Sequence, residues 1–189
     1  MLEAIEKRRA YRALDTKTIP EEVLLRLSEA AHTAPSSMNN QPWRLVTVNE
    51  EAVLNQVKEE ALAPGNYWAK KAPAMVAVVT NNAWGMTLGK RNYAPFEVGM
   101  AAMAYQMQAI HEGLYVHPIA GFNEDAAKKI LHISDEDSIM VFLVVGYPGD
   151  SSHLSDKHQE SEKGERERLP LEKVHAFNQF HQQLKPEGK

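Results

Sequence analysis

Residues 74–80 read AMVAVVT, an unbroken apolar run that decides the fold class. A run of this length, rich in β-branched valine, is typical of a strand that is covered on both faces. Residues 139–146 form a second such run and predict the last central strand, and residues 45–48 predict another strand. We therefore expect a central sheet with helices packed on both of its faces.

Helical patterns alternate with these strands along the chain. Apolar side chains recur at helical spacing over residues 18–31, after a capping-box pattern formed by Thr18 and Glu21. Residues 50–62 and 96–112 predict two further helices, the second rich in small residues. Because helices outweigh strands and alternate with them, the sequence indicates an α/β or α+β layer around the sheet.

Length and composition exclude several classes of protein. The 189 residues suit one domain, which we expect to span residues 1–189. The sequence has no cysteine, which excludes disulfides, a thiolate nucleophile and cysteine-ligated metal centres. The eight histidines lack metal-ligand spacing, so we expect no metal site. A net charge of −4 argues against nucleic-acid binding through bulk positive charge.

The chain offers no membrane segment that sequence can identify. Its longest apolar run, residues 139–145, reaches about a third of the length that a bilayer span needs. The first twelve residues are charged and contain no apolar signal core. We expect a cytoplasmic protein without a membrane partner.

The composition changes after Pro148. Residues 149–189 contain the polar stretch SSHLSDKHQESEKGERER at 151–168 and end with a short amphipathic segment. This tail is too long and too polar to pack within a compact domain as the pattern stands. It is expected either to stay loose or to lie on a partner subunit.

The first motif with chemical potential is RRAYR at residues 8–12. Its three guanidiniums lie within five residues and could converge on one anion, such as a phosphomonoester. Each charge-assisted contact of this kind is worth about 1.5–3 kcal/mol when it is partly withdrawn from water. The alternative is a solvated basic helix end. A later pair, Arg166 and Arg168, would point the same way in an extended chain and could complete an anion site.

The second motif is APSSMNNQPW at residues 34–43, between a predicted helix and a predicted strand. Two prolines hold its backbone extended, while hydroxyls and amides supply donors and acceptors that can read the polar edge of a heterocycle. Its serines lack the G-x-S-x-G setting of a nucleophile. The alternative is a plain polar loop.

These motifs, together with HPIAGF at 117–122, VVGYP at 144–148 and RERLP at 166–170, follow the order and spacing of the nitroreductase family. The chain resembles that family over nearly its whole length. The resemblance implies an α+β fold with a central, mostly antiparallel sheet flanked by helices. It also implies a homodimer, with the 149–189 tail exchanged across it, and FMN at the subunit interface.

The resemblance further implies which residues hold FMN. The first basic motif and the late basic pair would bind the phosphate and ribityl chain, the proline–serine loop would reach the flavin from the other subunit, and the stretch before the Gly-Phe pair would place a backbone N–H against the hydride-accepting nitrogen. The residues are, in that order, Arg8, Arg9, Ala10, Arg12, Arg166 and Arg168; Pro35, Ser36, Ser37, Asn39 and Gln41; and Ala120 and Gly121. Glu97 stands where the family often has Asp or Gln facing the flavin.

The implied activity is ping-pong transfer of two electrons from NADH or NADPH, through FMN, to a nitroaromatic, quinone or similar small molecule. No side chain need be catalytic, because a flavin carries this chemistry itself. Two alternatives remain open. One is a relative with different acceptor chemistry, such as dehalogenation or flavin destruction. The other is a non-catalytic protein that binds flavin without turnover.

Overall fold

A computed structural model describes residues 1–186, so the last three residues of the predicted tail lie outside the described residues. Six strands are present: β1 Arg44–Val48, β2 Ala74–Thr80, β3 Thr87–Leu88, β4 Arg91–Asn92, β5 Tyr115–Ile119 and β6 Ser138–Gly146. Six α-helices accompany them: α1 Glu3–Lys7, α2 Glu21–His32, α3 Glu51–Gln56, α4 Ala94–His111, α5 Glu124–Leu131 and α6 Asp156–Lys163. Among the described residues, no helix is long and apolar enough to cross a bilayer.

The main sheet has the strand order β1-β2-β6-β5, and each neighbouring pair is antiparallel. Strands β3 and β4 form a separate two-stranded hairpin. The predicted α+β fold with an antiparallel sheet is confirmed, and the α/β alternative is wrong. The helices that pack on the sheet include α2 before β1, α3 between β1 and β2, α4 between β2 and β5, and α5 between β5 and β6.

Strand β2 lies between two apolar layers, as its composition predicts. All seven of its residues are buried, with Met75, Ala77 and Val79 in one core cluster and Ala74, Val76 and Val78 in the other. The first cluster contains Trp68 and the second contains Tyr105. Burial of one valine side chain stabilises the fold by about 1.5–3 kcal/mol. The double coverage therefore makes β2 the centre of both cores.

Two details of the predicted helices are wrong. Helix α2 begins at Glu21 with Pro20 at its N-cap and no side-chain cap, so Thr18 and Glu21 do not form a capping box. The helix predicted over 50–62 is α3 followed by one π-helical turn, Val57–Ala61. It is Glu50 that caps α3, since its carboxylate accepts the Ala52 and Val53 N–H groups.

The start of the polar tail folds onto the same chain, which the sequence did not predict. Its residues 156–163 form α6, which hydrogen-bonds to residues 9–13. Between Gly164 and residue 186, where the description ends, the chain has only short 3-10 turns, and five large apolar side chains are exposed in that segment. They are Leu169, Leu171, Val174, Phe177 and Phe180.

Candidate functional site

A cavity of about 340 Å³, here called the basic pocket, lies between the N-terminal segment and the residues that follow α6. Its lining includes five of the predicted site residues, which the fold brings together from opposite ends of the chain. They are Arg8, Arg9, Ala10, Arg166 and Arg168. The convergence of two basic motifs on one anion site is therefore geometrically possible within a single chain.

Arg8 has the least compensated charge in the basic pocket. Its burial, followed by the guanidiniums of Arg166 and Arg168, lowers its pKa. Within residues 1–186 the Arg8 side chain has no hydrogen-bond or ion-pair partner. An arginine remains protonated in proteins, so the four arginines of the lining outnumber its two carboxylates, Glu165 and Glu167. The pocket thus suits a ligand that carries two negative charges and several acceptor oxygens.

The guanidiniums of Arg9 and Arg166 instead donate hydrogen bonds to backbone carbonyls. Arg9 donates to the carbonyls of Gly164 (2.6 Å) and Ser161 (3.3 Å) at the C-terminal end of α6. Arg166 donates to the carbonyls of Glu6 (2.7 Å), Ile5 (3.2 Å) and Arg8 around the end of α1. Cations at helix C-termini satisfy carbonyls that have no partner inside the helix. These two arginines therefore hold the walls of the pocket together.

Glu162 adds a third link between α6 and the N-terminal segment. Its two carboxylate oxygens accept the backbone N–H groups of Arg12 (3.0 Å) and Ala13 (3.2 Å). The side chain of Arg12 is directed elsewhere, with its guanidinium carbon 6.0 Å from the centre of the Trp68 ring. Arg12 consequently does not line the basic pocket, unlike the other arginines of the two motifs.

His117 supports the same segment from the sheet. It is buried on β5, its Nδ1 lies 3.2 Å from the Tyr11 carbonyl oxygen, and its ring centre lies 4.5 Å from that of Trp68. Burial and the Arg12 charge lower its pKa to about 4. The imidazole is therefore neutral near pH 7, and Nδ1 must carry the proton to donate to a carbonyl.

The polar loop, residues 34–43, has an unusual backbone. Met38, Asn39 and Gln41 have φ angles of 54°, 56° and 49°, although none is glycine. A non-glycine residue in the left-handed region costs on the order of 1 kcal/mol or more and persists where surrounding contacts enforce it. Such residues concentrate at functional sites, so the backbone supports the functional interpretation of this motif over the plain loop.

Several bonds enforce this conformation. Within the loop, the Ser36 hydroxyl accepts the Gln41 N–H at 2.9 Å. From outside it, Glu97 on α4 accepts the Ser37 N–H at 2.7 Å, and Thr80 on β2 donates to the Pro42 carbonyl at 2.6 Å. Glu97, predicted to face the flavin, is only 1% exposed and directs one oxygen at the loop.

The turn after β5 holds the remaining predicted pair, Ala120 and Gly121, both exposed. The Gly121 carbonyl accepts the Ala63 N–H at 3.0 Å and the Asn66 side-chain amide at 2.7 Å. A Cβ on Gly121 would lie 2.9 Å from that amide nitrogen, so a larger residue there would displace the Asn66 side chain. Asn66 was not among the predicted site residues, because an Asn after Gly65 is also an ordinary turn signal.

The polar loop does not meet the basic pocket within one chain. Gln41 lines a different cavity of about 450 Å³, beside Asn40, Trp43 and Arg44. None of the residues around that cavity lines the basic pocket. Of the predicted flavin contacts, five thus line the basic pocket and Gln41 lines the other cavity, whereas Ala120 and Gly121 line neither.

The α+β fold with an antiparallel sheet, and the arginine-rich pocket between residues 8–11 and 161–168, agree with the features that the sequence motifs imply. The family model described as "Nitroreductase family" matches residues 5–147. This chain belongs to the nitroreductase family, so the predicted family is confirmed and the protein is an oxidoreductase.

Individual relatives span nearly the same length. An NADH dehydrogenase of Thermus thermophilus is 25% identical over 199 residues, covering 89% of this chain and 91% of the relative. An iodotyrosine deiodinase of Haliscomenobacter hydrossis is 26% identical over 181 residues, covering 80% and 81%. A crystal structure described as an oxidoreductase containing FMN superposes with a TM-score of 0.83 at 28% identity, covering 96% and 93%.

Proposed function

We propose that this protein binds FMN and passes two electrons from NADH or NADPH to a nitroaromatic, quinone or similar acceptor. The observation that carries the proposal is the basic pocket, in which Arg8 lies beside Arg166 and Arg168 and, within residues 1–186, forms no ion pair with the two carboxylates that also line the pocket, Glu165 and Glu167. Family membership, the FMN of the similar crystal structure and the NADH of the Thermus relative support the same assignment.

The donor set of the basic pocket fits the phosphate of FMN. A phosphomonoester carries about two negative charges at neutral pH and accepts several hydrogen bonds, and guanidiniums match that geometry. Arg8 would bind it most directly, because its donors are uncommitted. Arg166 would contribute the donors that its carbonyl contacts leave free, and Arg168 would add charge at the rim.

FMN, when bound, supplies the two-electron chemistry between nicotinamide and acceptor. The residues of this chain would orient the flavin ring and polarise it. The Ala120–Gly121 turn would present backbone to the flavin ring, and the Asn66 amide holds that turn through the Gly121 carbonyl. Backbone donors fixed in this way stabilise developing negative charge without moving. No side chain has to transfer a proton as an obligate base.

We also propose that the active protein is a homodimer. The polar loop lines a cavity that is separate from the basic pocket. A second subunit would bring the loop of one chain to the pocket of the other. The segment beyond Gly164 supports this, since Phe177 is 79% exposed and Leu171 is 71% exposed. Apolar side chains left in water in this number favour burial on a partner. The tail would then lie across that partner.

A second candidate activity is reductive dehalogenation. The iodotyrosine deiodinase relative covers four-fifths of this chain at 26% identity, which is as similar as the NADH dehydrogenase. In that reaction two electrons and a proton replace a carbon–halogen bond by carbon–hydrogen and release halide. The same flavin site would serve both activities, so the acceptor decides between them.

The test is a visible spectrum of the purified protein, followed by anaerobic addition of NADH and then NADPH. We expect the flavin band to be present and to bleach, and to return when a nitroaromatic or quinone is added. Release of halide from a halophenol, with no reoxidation by quinone, would favour dehalogenation. A flavin band that neither nicotinamide bleaches would support a non-catalytic binding protein. A colourless protein that cannot be loaded with FMN would contradict the assignment of the basic pocket.

A further inference from the structure

Glu97 is a buried carboxylate that no expected chemical step uses. It lies in the first turns of α4 and is 1% exposed. One oxygen accepts the Ser37 N–H at 2.7 Å, and within the described residues the other oxygen is buried without a partner. A carboxylate withdrawn from water is costly unless its hydrogen bonds compensate. Among the described residues, the hydrogen bond from the Ser37 N–H is the contact that compensates this carboxylate, and it ties Glu97 to the polar loop.

That segment is the strained part of the polar loop. Ser37 directly precedes Met38 and Asn39, which have left-handed backbones. The loop's other hydrogen bonds join its own residues, as the Ser36–Gln41 bond does, hold its first residue to the end of α2, or hold its last residues to the sheet. The Glu97 bond reaches the loop from α4 just before its left-handed residues begin. It is thus placed to hold the backbone in a conformation that the loop does not favour by itself.

We propose that Glu97 is a positioning residue: it fixes the left-handed conformation of the polar loop through the Ser37 N–H and thereby sets the affinity for FMN, without contacting FMN. The inference rests on the proposed function, because this loop is the part expected to reach the flavin. It differs from the expectation that Glu97 faces the flavin, since here Glu97 acts only through the loop backbone.

Two substitutions distinguish the effect of the length of the Glu97 side chain from the effect of its charge. Glu97→Gln keeps the chain length and an acceptor oxygen but removes the charge. Glu97→Asp keeps the charge but shortens the side chain by one methylene, which takes its oxygens out of hydrogen-bonding range of Ser37. Tyr105→Phe is the matched control, because Tyr105 is also buried on α4, its hydroxyl also lacks a partner among residues 1–186, and no hydrogen bond joins it to the loop.

The experiment measures amide hydrogen exchange of residues 37–41 in the full-length protein stripped of FMN, and the FMN dissociation constant by titration. Glu97→Asp is expected to speed exchange of these amides and to weaken FMN binding, each about tenfold, which corresponds to loss of one hydrogen bond to a charged acceptor. Glu97→Gln is expected to restore both within about threefold, since a neutral acceptor makes the weaker version of the same bond. Tyr105→Phe should leave both unchanged.

Each result that departs from these expectations would overturn one part of the proposal. Normal loop exchange in Glu97→Asp would overturn the anchoring role. Fast exchange with normal FMN affinity would overturn the link from loop order to binding. Loss of FMN in Glu97→Gln with a protected loop would mean that Glu97 acts on the flavin directly. If the wild-type protein binds no FMN, the proposed function fails, while the exchange rates still decide whether Glu97 holds the loop.

Discussion

The backbones of the basic pocket and of the polar loop are held in place in opposite ways. The pocket joins segments about 150 residues apart, with Glu162, Arg9 and Arg166 bonding to the other segment's backbone. The loop is one stretch of ten residues, held in left-handed conformations by its own Ser36 and by Glu97. The pocket is therefore vulnerable to anything that separates the chain ends, whereas the loop is vulnerable to the loss of a single local acceptor.

The largest expected effect is that of acid on His117, which supports the N-terminal wall of the basic pocket. His117 has a pKa lowered to about 4, against 6.5 for a free histidine, so the unfolded chain binds the extra proton first. The stability that its neutral form contributes is complete above the unfolded pKa and is lost as pH falls from about 6.5 to 4, by about 3 kcal/mol in all. The free energy of unfolding, measured by urea titration at several pH values, should fall across this window. His117→Asn should flatten that slope, and an unchanged slope would show that other groups cause it.

Removal of Arg8 tests whether the pocket's uncommitted charge binds the phosphate. Arg8→Ala should weaken FMN binding by about 1.5–3 kcal/mol, or roughly 10- to 150-fold, with little change in folding stability. Titration of the flavin spectrum measures the first quantity and thermal unfolding the second. Lys7→Ala is the control, because Lys7 is exposed and pairs with Glu3. Equal losses in both variants would mean that only bulk charge attracts the cofactor.

Removal of Glu162 tests the joint between α6 and the N-terminal segment. Glu162→Ala deletes the acceptor of two backbone N–H groups and should lower the free energy of unfolding by about 1–2 kcal/mol. Amide exchange should rise at Arg12 and Ala13 while the polar loop keeps its protection. Glu160→Ala, an exposed carboxylate on the same helix, should do neither. Faster exchange in the polar loop as well would contradict the independence of the two regions.

The smallest expected effect is that of Ser36. Ser36→Ala removes the hydroxyl that accepts the Gln41 N–H and should cost about 0.5–1.5 kcal/mol locally. Exchange at Gln41 should rise, with no change at Arg12 or Ala13. Ser36→Thr retains a hydroxyl and should restore protection. A loss of global stability larger than that of Glu162→Ala would reverse the comparison.

Much of the architecture could be predicted because its causes are local in sequence. The continuous apolar runs of β2 and β6 require burial on both faces, and guanidiniums spaced within five residues predict an anion site wherever the chain places them. The motifs also predict the family. The residues that would hold the flavin remain a prediction, although five of them line one pocket.

The unpredicted features depend on partners distant in sequence. Helix α6 is a polar octapeptide without an apolar face, and it is bonded to the N-terminal segment through Glu162 and Arg9. The direction of the Arg12 side chain depends on Trp68, and the part played by Glu97 depends on a loop sixty residues earlier. Propensity and periodicity contain no information on such pairs, so only the folded structure reveals them.

The long separation of the pocket's two halves has a consequence for biosynthesis. Arg8 is synthesised well before Arg166, which lies 158 residues later in the chain, and Glu162 lies 150 residues after Arg12. Strand β6, which pairs with both β2 and β5, also emerges late. Contacts of such long range form only when both segments are available. A nascent chain therefore cannot complete its basic pocket before residues 161–168 have been synthesised, and the proposed binding of FMN follows synthesis of that segment rather than guiding it.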